Sequence, residues 1–312
     1  MEVGEGNLLD QEFEELESLQ LIKTTANEKN EQAYKNILER LHIHSKDDGG
    51  VFCLITGSQG SAKTSAMLSV AKYNMLYHAD EPVFFSGCYD SPLQFIKLGP
   101  KKWHIFVKEG SNVIFRDRDR DLKIFTPPHQ TYFKVTENDG EKDYSDVWNK
   151  AKKGKCNAVF FGDRFEWIDF ITWLREKGWC HVFLDEISEI CPANTSGDLW
   201  RKIREFNLIL KDTRKCFTDI YCNTQSCGDI DYRTWAKIMV WFFLPGSKKS
   251  KQSSVLQGAI NSLKKSKEFG NEGYIEFSGE WTHTRFTDFF APIDGYHWDA
   301  HVLKETNDKK SN

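Results

Sequence analysis

Apolar positions along this chain follow two rhythms. In EFEELESLQLI (12–22) and EQAYKNILERLHI (31–43) they recur at helical spacing, which predicts a helical segment over 1–50. The run DDGG at 47–50 then breaks the pattern. Beyond it come short unbroken apolar runs: VFCLIT (51–56), EPVFFSGC (81–88), CNAVFFGD (156–163), CHVFLDEISEI (180–190) and FTDIYCNTQ (217–225). Continuous β-branched and aromatic runs suit strands buried on both faces, as in a parallel sheet. Helical patterns lie between them, in TSAMLSVAKYNMLYH (64–78), RFEWIDFITWLREKGW (164–179) and DLWRKIREFNLILKDTRK (198–215). Strand and helix in alternation predict an α/β fold, a mostly parallel sheet flanked by helices.

Two stretches depart from this alternation. Over about 91–155 the chain reads as short strands and turns, which predicts a β-rich insertion into a core spanning 51–245. Within it RDRDRD (116–121) alternates charge and reads as a solvated turn or strand edge. After Gly246 a basic and aromatic extension runs over 246–303. It holds six lysines and one glutamate between Ser247 and Gly270, then the block YIEFSGEWTHTRFTDFFAPIDGYHW. The last residues, 304–312, are expected to be a disordered tail.

Composition narrows the class. The chain has 312 residues, 39% of them hydrophobic and 28% charged, which is foldable rather than disordered and long enough for one large α/β domain with insertions or two small ones. A net charge of −4 rules out a globally basic surface, so any contact with nucleic acid needs a local patch. The eight cysteines include no CxxC pair and no zinc spacing; they read as buried, reduced thiols. The N-terminus is acidic, unlike a signal or transit peptide. No apolar run reaches the roughly 18 residues of a membrane span, so a cytoplasmic setting, or host cytoplasm or virion, is expected.

The chemistry begins at ITGSQGSAKTSAML (55–68). It matches the phosphate-loop pattern Gly-x4-Gly-Lys-Ser/Thr at Gly57, Lys63 and Thr64, with Ala62 where the second glycine belongs. Such a loop wraps backbone N–H groups round an anion at a helix N-terminus. The expected phosphate-binding residues are Gly57, Ser58, Gln59, Gly60, Ser61, Ala62, Lys63, Thr64 and Ser65. Lys63 supplies charge near the outer phosphates and Thr64 a ligand for Mg2+. Alanine is tolerable at 62 if its φ is negative, because positive φ is what demands glycine.

Downstream, HVFLDE (181–186) is an apolar strand ending in two carboxylates. Asp185 at the strand end suits the Mg2+ shell, held through water, and Glu186 suits polarisation of an attacking water. A third strand, IYCNTQ (220–225), ends in Asn223, Thr224 and Gln225. Parallel sheets gather such ends on one ligand-binding edge, where a polar amide can sense the γ-phosphate. Arg214 and Arg233 lie before and after this strand, and either could act as an arginine finger on a neighbouring subunit's nucleotide.

Together these elements resemble the FtsK–HerA superfamily of P-loop motor ATPases, over roughly 50–88 and 156–245. That group includes DNA translocases, conjugation motors, viral genome-packaging ATPases and zonula occludens toxin-like proteins. The resemblance implies an ASCE (RecA-like) P-loop NTPase fold and ATP with Mg2+ as cofactors. It carries over Lys63, Thr64, Asp185 and Glu186, with Gln225 as the sensor. It further implies a homo-oligomer, a hexameric ring that moves DNA without base-specific readout, with a viral or conjugation-apparatus partner. Ala62 and the 91–155 segment depart from the family pattern. The lysines of 248–267 are the local candidate for gripping a phosphate backbone. Two other classes compete: a nucleotide-gated assembly or secretion ATPase that translocates no DNA, and a small-molecule phosphotransferase, which would want an arginine-rich lid.

Overall fold

The computed structural model describes residues 29, 32–86, 103–117, 120–127, 129–211, 217–249, 251–265, 271–286 and 298–303. A helix, α1, covers residues 32–48. Then follow β1 (Phe52–Thr56), α2 (Lys63–Tyr77) and β2 (Val83–Ser86). The next segment gives β3 (Trp103–Lys108), β4 (Asn112–Asp117), β5 (Lys123–Phe125), β6 (Gln130–Phe133), β7 (Thr136–Asn138), β8 (Glu141–Asp143) and α3 (Ser145–Lys150). The core resumes with β9 (Cys156–Phe160), α4 (Glu166–Leu174), β10 (Cys180–Leu184), α5 (Gly197–Lys211), β11 (Thr218–Thr224), α6 (Tyr232–Trp235) and β12 (Val240–Phe243). It ends with α7 (Gln257–Asn261), β13 (Asn271–Phe277), β14 (Glu280–Phe286) and β15 (Trp298–Leu303).

Ten strands make one sheet in the order β14-β13-β12-β1-β11-β10-β2-β9-β3-β6. From β12 through β6 every pairing is parallel, while β13 and β14 add an antiparallel edge. The expected α/β sheet is therefore present, and the apolar runs at 51–56, 180–184 and 217–224 are its middle. Every residue of β1, β10 and β11 is buried, as continuous apolar strands require when helices cover both faces.

The two faces have separate cores. On one, Cys53 and Ile55 of β1 meet Met67 and Val70 of α2 and Tyr34, Leu38 and Leu41 of α1. On the other, Phe52 and Leu54 meet Trp167 and Phe170 of α4 and Ile203 and Phe206 of α5. Alternate residues of one strand thus supply both layers. Each fully buried side chain of this size stabilises by about 1.5–3 kcal/mol. Cys53, Cys156, Cys180, Cys191 and Cys222 are buried thiols that form no disulfide among the described residues, as their apolar neighbours predict.

The 91–155 stretch is more than a surface excursion. Among its described residues, β3 and β6 extend the parallel sheet beyond β9, and Trp103, Ile105 and Phe106 are buried. The strand β4 pairs instead with β15, near the chain's end, and with β5. The expected tail 304–312, the helical pattern at 12–22 and Arg214 lie outside the described residues.

Candidate nucleotide site

Parallel register brings three strand ends to one edge. Thr56 of β1 pairs with Thr224 of β11, and Leu184 of β10 pairs with Cys222 of β11. The loop after β1, the acids after β10 and the polar tip of β11 therefore share a rim. The strand β11 lies between the loop strand and the acid strand.

The loop turns tightly. A Cβ on Gly57 would come within 2.3 Å of Ser61 Oγ and 2.9 Å of Leu244 Cβ, so glycine is obligatory there. Gly60 has φ +71. The strand end β12 and the turn after it hold the loop in place: Ser58 N–H donates to the Pro245 carbonyl at 3.1 Å, and Ser247 Oγ donates to the Thr56 carbonyl at 2.7 Å. The helix α2 then opens at Lys63, and a helix N-terminus at the end of such a loop is the arrangement that suits an anion.

Ala62 is a correction to the sequence expectation. Its φ is 67 and its ψ 33, a left-handed conformation, and it caps α2 without a side-chain hydrogen bond. Negative φ, the condition under which alanine is tolerable at 62, does not hold. The turn that swings the chain from the loop into α2 needs a left-handed residue whatever its side chain. Glu186 is also left-handed, with φ 54, so both non-glycine outliers of this rim sit where phosphate chemistry is expected.

Lys63 folds back on the loop, Nζ donating to the carbonyls of Gly57 at 3.0 Å and Ser58 at 3.2 Å. Burial lowers its pKa, partly offset by Glu186 and Asp185, while Lys265 lowers it further. Thr64 Oγ1 donates to Asp185 Oδ1 at 3.2 Å. A hydroxyl beside a carboxylate is the oxygen donor chemistry that Mg2+ takes; Thr64 would hold the ion, and Asp185 its shell through water. Desolvation pushes Asp185 up to about 6, against the hydrogen bonds from Asn223 and Thr64. A carboxyl so poised gains from a cation.

Asn223 organises the acids. Its Nδ2 donates to Asp185 Oδ1, and its Oδ1 accepts from Glu186 N–H at 2.9 Å. Thr224 Oγ1 donates to Glu186 Oε1 at 3.0 Å, an oxygen that also accepts from Ser188 Oγ at 2.5 Å. Of the three polar residues at this tip, Asn223 and Thr224 touch the acids, while Gln225 is exposed. Arg233 is bound by Asp231 through two parallel hydrogen bonds, of 2.9 and 2.7 Å, and its guanidinium lies 5.1 Å from the Trp200 ring.

The extension reaches the loop as well. Lys265 Nζ donates to the Gln59 carbonyl at 2.9 Å, and Asn271 Nδ2 to the Ser61 carbonyl at 2.9 Å. Neither contact has a local sequence signal, since each spans some two hundred residues. The helix α7 closes after five residues, at Asn261, and Lys264 and Lys265 lie beyond it.

No family model matches the chain, and no curated protein does. Solved structures similar to it include the genome packaging NTPase B204 of Sulfolobus turreted icosahedral virus 2 in complex with ATP-gammaS, at 11% identity and TM-score 0.41, covering 76% of this chain and 97% of that one. Another is the N-terminal domain of zonular occludens toxin from Neisseria meningitidis, at 16% identity and TM-score 0.36, covering 77% and 94%. A third is the pCW3 conjugation coupling protein TcpA, at 10% and 0.42, covering 76% and 60%. Superposition is low in all three, and the chemistry rests on this chain's own side chains. No helix among the described residues is long and apolar enough to cross a membrane.

Proposed function

We propose that this chain is a Mg2+-dependent ATPase that drives DNA movement as a ring of identical subunits. One observation carries the ATPase reading: Thr64, the residue after the loop lysine, meets Asp185 across 121 positions of sequence, at the rim where α2 begins. That contact unites a phosphate-binding helix N-terminus with a metal-binding acid.

When bound, Mg2+ supplies charge neutralisation between the outer phosphates. The chain's residues do the rest. Lys63 leaves the carbonyls of Gly57 and Ser58 for the phosphate oxygens, which are stronger acceptors. Glu186, its Oε1 fixed by Thr224 and Ser188, orients and deprotonates a water in line with the terminal phosphate. Asn223, hydrogen-bonded to both acids, couples the metal ligand to the base. Gln225, exposed at the tip, senses the γ-phosphate, and Arg233 reaches a neighbour's nucleotide once released from Asp231.

The DNA step is supported by the motor-family resemblance of the three motifs and by the lysines of 248–267. The test is steady-state ATP hydrolysis by the purified chain with and without double- or single-stranded DNA, alongside its sedimentation with ATP. Stimulation together with assembly is the expected result. Hydrolysis and assembly that ignore both kinds of DNA would move the assignment to a nucleotide-gated assembly or secretion ATPase.

A further inference from the structure

A second cluster of chemistry lies at the opposite end of the sheet, where strands begin. His181 is the second residue of β10 and Asp219 the second of β11. Both are essentially inaccessible, at 1% exposure. His181 Nδ1 lies 3.1 Å from Asp219 Oδ2 and its Nε2 lies 2.8 Å from Glu81 Oε2, Glu81 being in the turn between α2 and β2. The helix α1 brings His42 to the same place, and His42, Glu81 and His181 each present a ligand atom within 4.8 Å of the other two.

We propose that His42, Glu81 and His181 form a binding site for a divalent transition-metal ion, zinc by ligand type. Two imidazoles and a carboxylate are a common zinc donor set. With bonds of about 2 Å, tetrahedral zinc keeps its ligand atoms roughly 3.3 Å apart, and the 2.8 Å between His181 and Glu81 is close to one such edge. Supporting groups surround the donors as metal sites require. Asp219 lies beside the His181 ring nitrogen away from Glu81, so Nε2 is the nitrogen that faces the other two donors. Asp219 is itself held by Ser45 Oγ at 2.5 Å and Val51 N–H at 2.9 Å.

A second feature points to a ligand. His42 Nδ1 is buried with no hydrogen-bond partner among the described residues. The His42 ring stacks on His78, centroids 3.3 Å apart and planes within 15°. The charged groups facing the cluster are Lys46, which bonds Glu81, and Glu39, 3.8 Å from His78. With the ion bound, α1 is tied to the base of the sheet through His42, at the end of the molecule away from the phosphate loop.

The test uses the full chain without a histidine tag, stripped with chelator and dialysed against micromolar zinc. Elemental analysis should find one zinc per chain, and zinc should raise the melting temperature. His42→Phe keeps a ring to stack on His78 but offers no ligand; Glu81→Gln keeps the shape and removes the charge. Each should lose the zinc and its stabilisation, whereas His44→Ala, on the same helix outside the cluster, should retain both. Cobalt should bind with the visible absorption of a tetrahedral site in the wild type and not in His42→Phe. Absence of bound metal in the folded wild type overturns the proposal, as does zinc retained by both His42→Phe and Glu81→Gln.

Discussion

Replacing Ala62 by glycine should stabilise the protein. Ala62 is held at φ 67, ψ 33. For a residue with a Cβ, left-handed backbone costs about 1–2 kcal/mol relative to the right-handed form. Glycine avoids that cost but loses about 0.5–1 kcal/mol more conformational freedom on folding. The difference leaves about 0.5–1 kcal/mol in favour of glycine. In a chain this long 1 kcal/mol moves the melting temperature by about 2 °C, so Ala62→Gly should melt about 1–2 °C higher in scanning calorimetry. Ala62→Val, with a β-branched side chain in the same backbone, should melt lower than wild type. ATP affinity of Ala62→Gly should be at least that of wild type, because the phosphate-facing backbone is unchanged. The sign is decisive. Were φ negative at 62, glycine would cost about 0.5–1 kcal/mol and the melting temperature would fall; a fall refutes the left-handed turn and the reasoning built on it.

Asn223→Ala should leave Asp185 and Glu186 without their shared bridge, lowering stability by about 1–3 kcal/mol and kcat about a hundredfold through misplacement of the base, measured by denaturation and phosphate release. Gln225→Ala, at an exposed position, should leave stability unchanged, so that any loss of kcat isolates its sensing role. His104 gives a pH dependence: burial and the nearby Lys152 hold its pKa down to about 4, while the unfolded ring titrates near 6.5. Between those values the unfolded state binds the proton and the folded state does not, so the His104 contribution to stability should fall by on the order of 2 kcal/mol as pH drops from 6.5 toward 4, and stay level above 6.5. Urea midpoints across that range should show the slope in wild type and a flatter profile in His104→Gln.

Much of the rim was legible in the sequence because its parts are local. A glycine-rich loop announces itself within nine residues, and an apolar strand that stops at paired acids marks both the strand and its polar end. The middle strands were legible for the same reason, since residues buried on both faces leave no polar alternation. What resisted was long-range. Nothing near Lys265 or Asn271 tells that they bond the carbonyls of Gln59 and Ser61, and nothing near Trp103 tells that its strand joins the main sheet beside β9. The backbone of Ala62 resisted differently: side-chain identity argued for an ordinary φ, and the geometry of the loop overrode it. His42, Glu81 and His181 were invisible because their spacing matches no local ligand pattern; only packing α1 against the strand starts brings them together.

The central claim is that Lys63, Thr64, Asp185 and Glu186 handle one Mg2+-bound triphosphate. The most direct measurement compares ATP binding by calorimetry with phosphate release for wild type, Lys63→Ala and Glu186→Gln, each with Mg2+ present. Wild type should bind and hydrolyse, Lys63→Ala should do neither, and Glu186→Gln should bind with wild-type affinity but turn over at least a hundredfold more slowly. Wild-type hydrolysis rates in Glu186→Gln, or undiminished ATP binding in Lys63→Ala, would contradict the account.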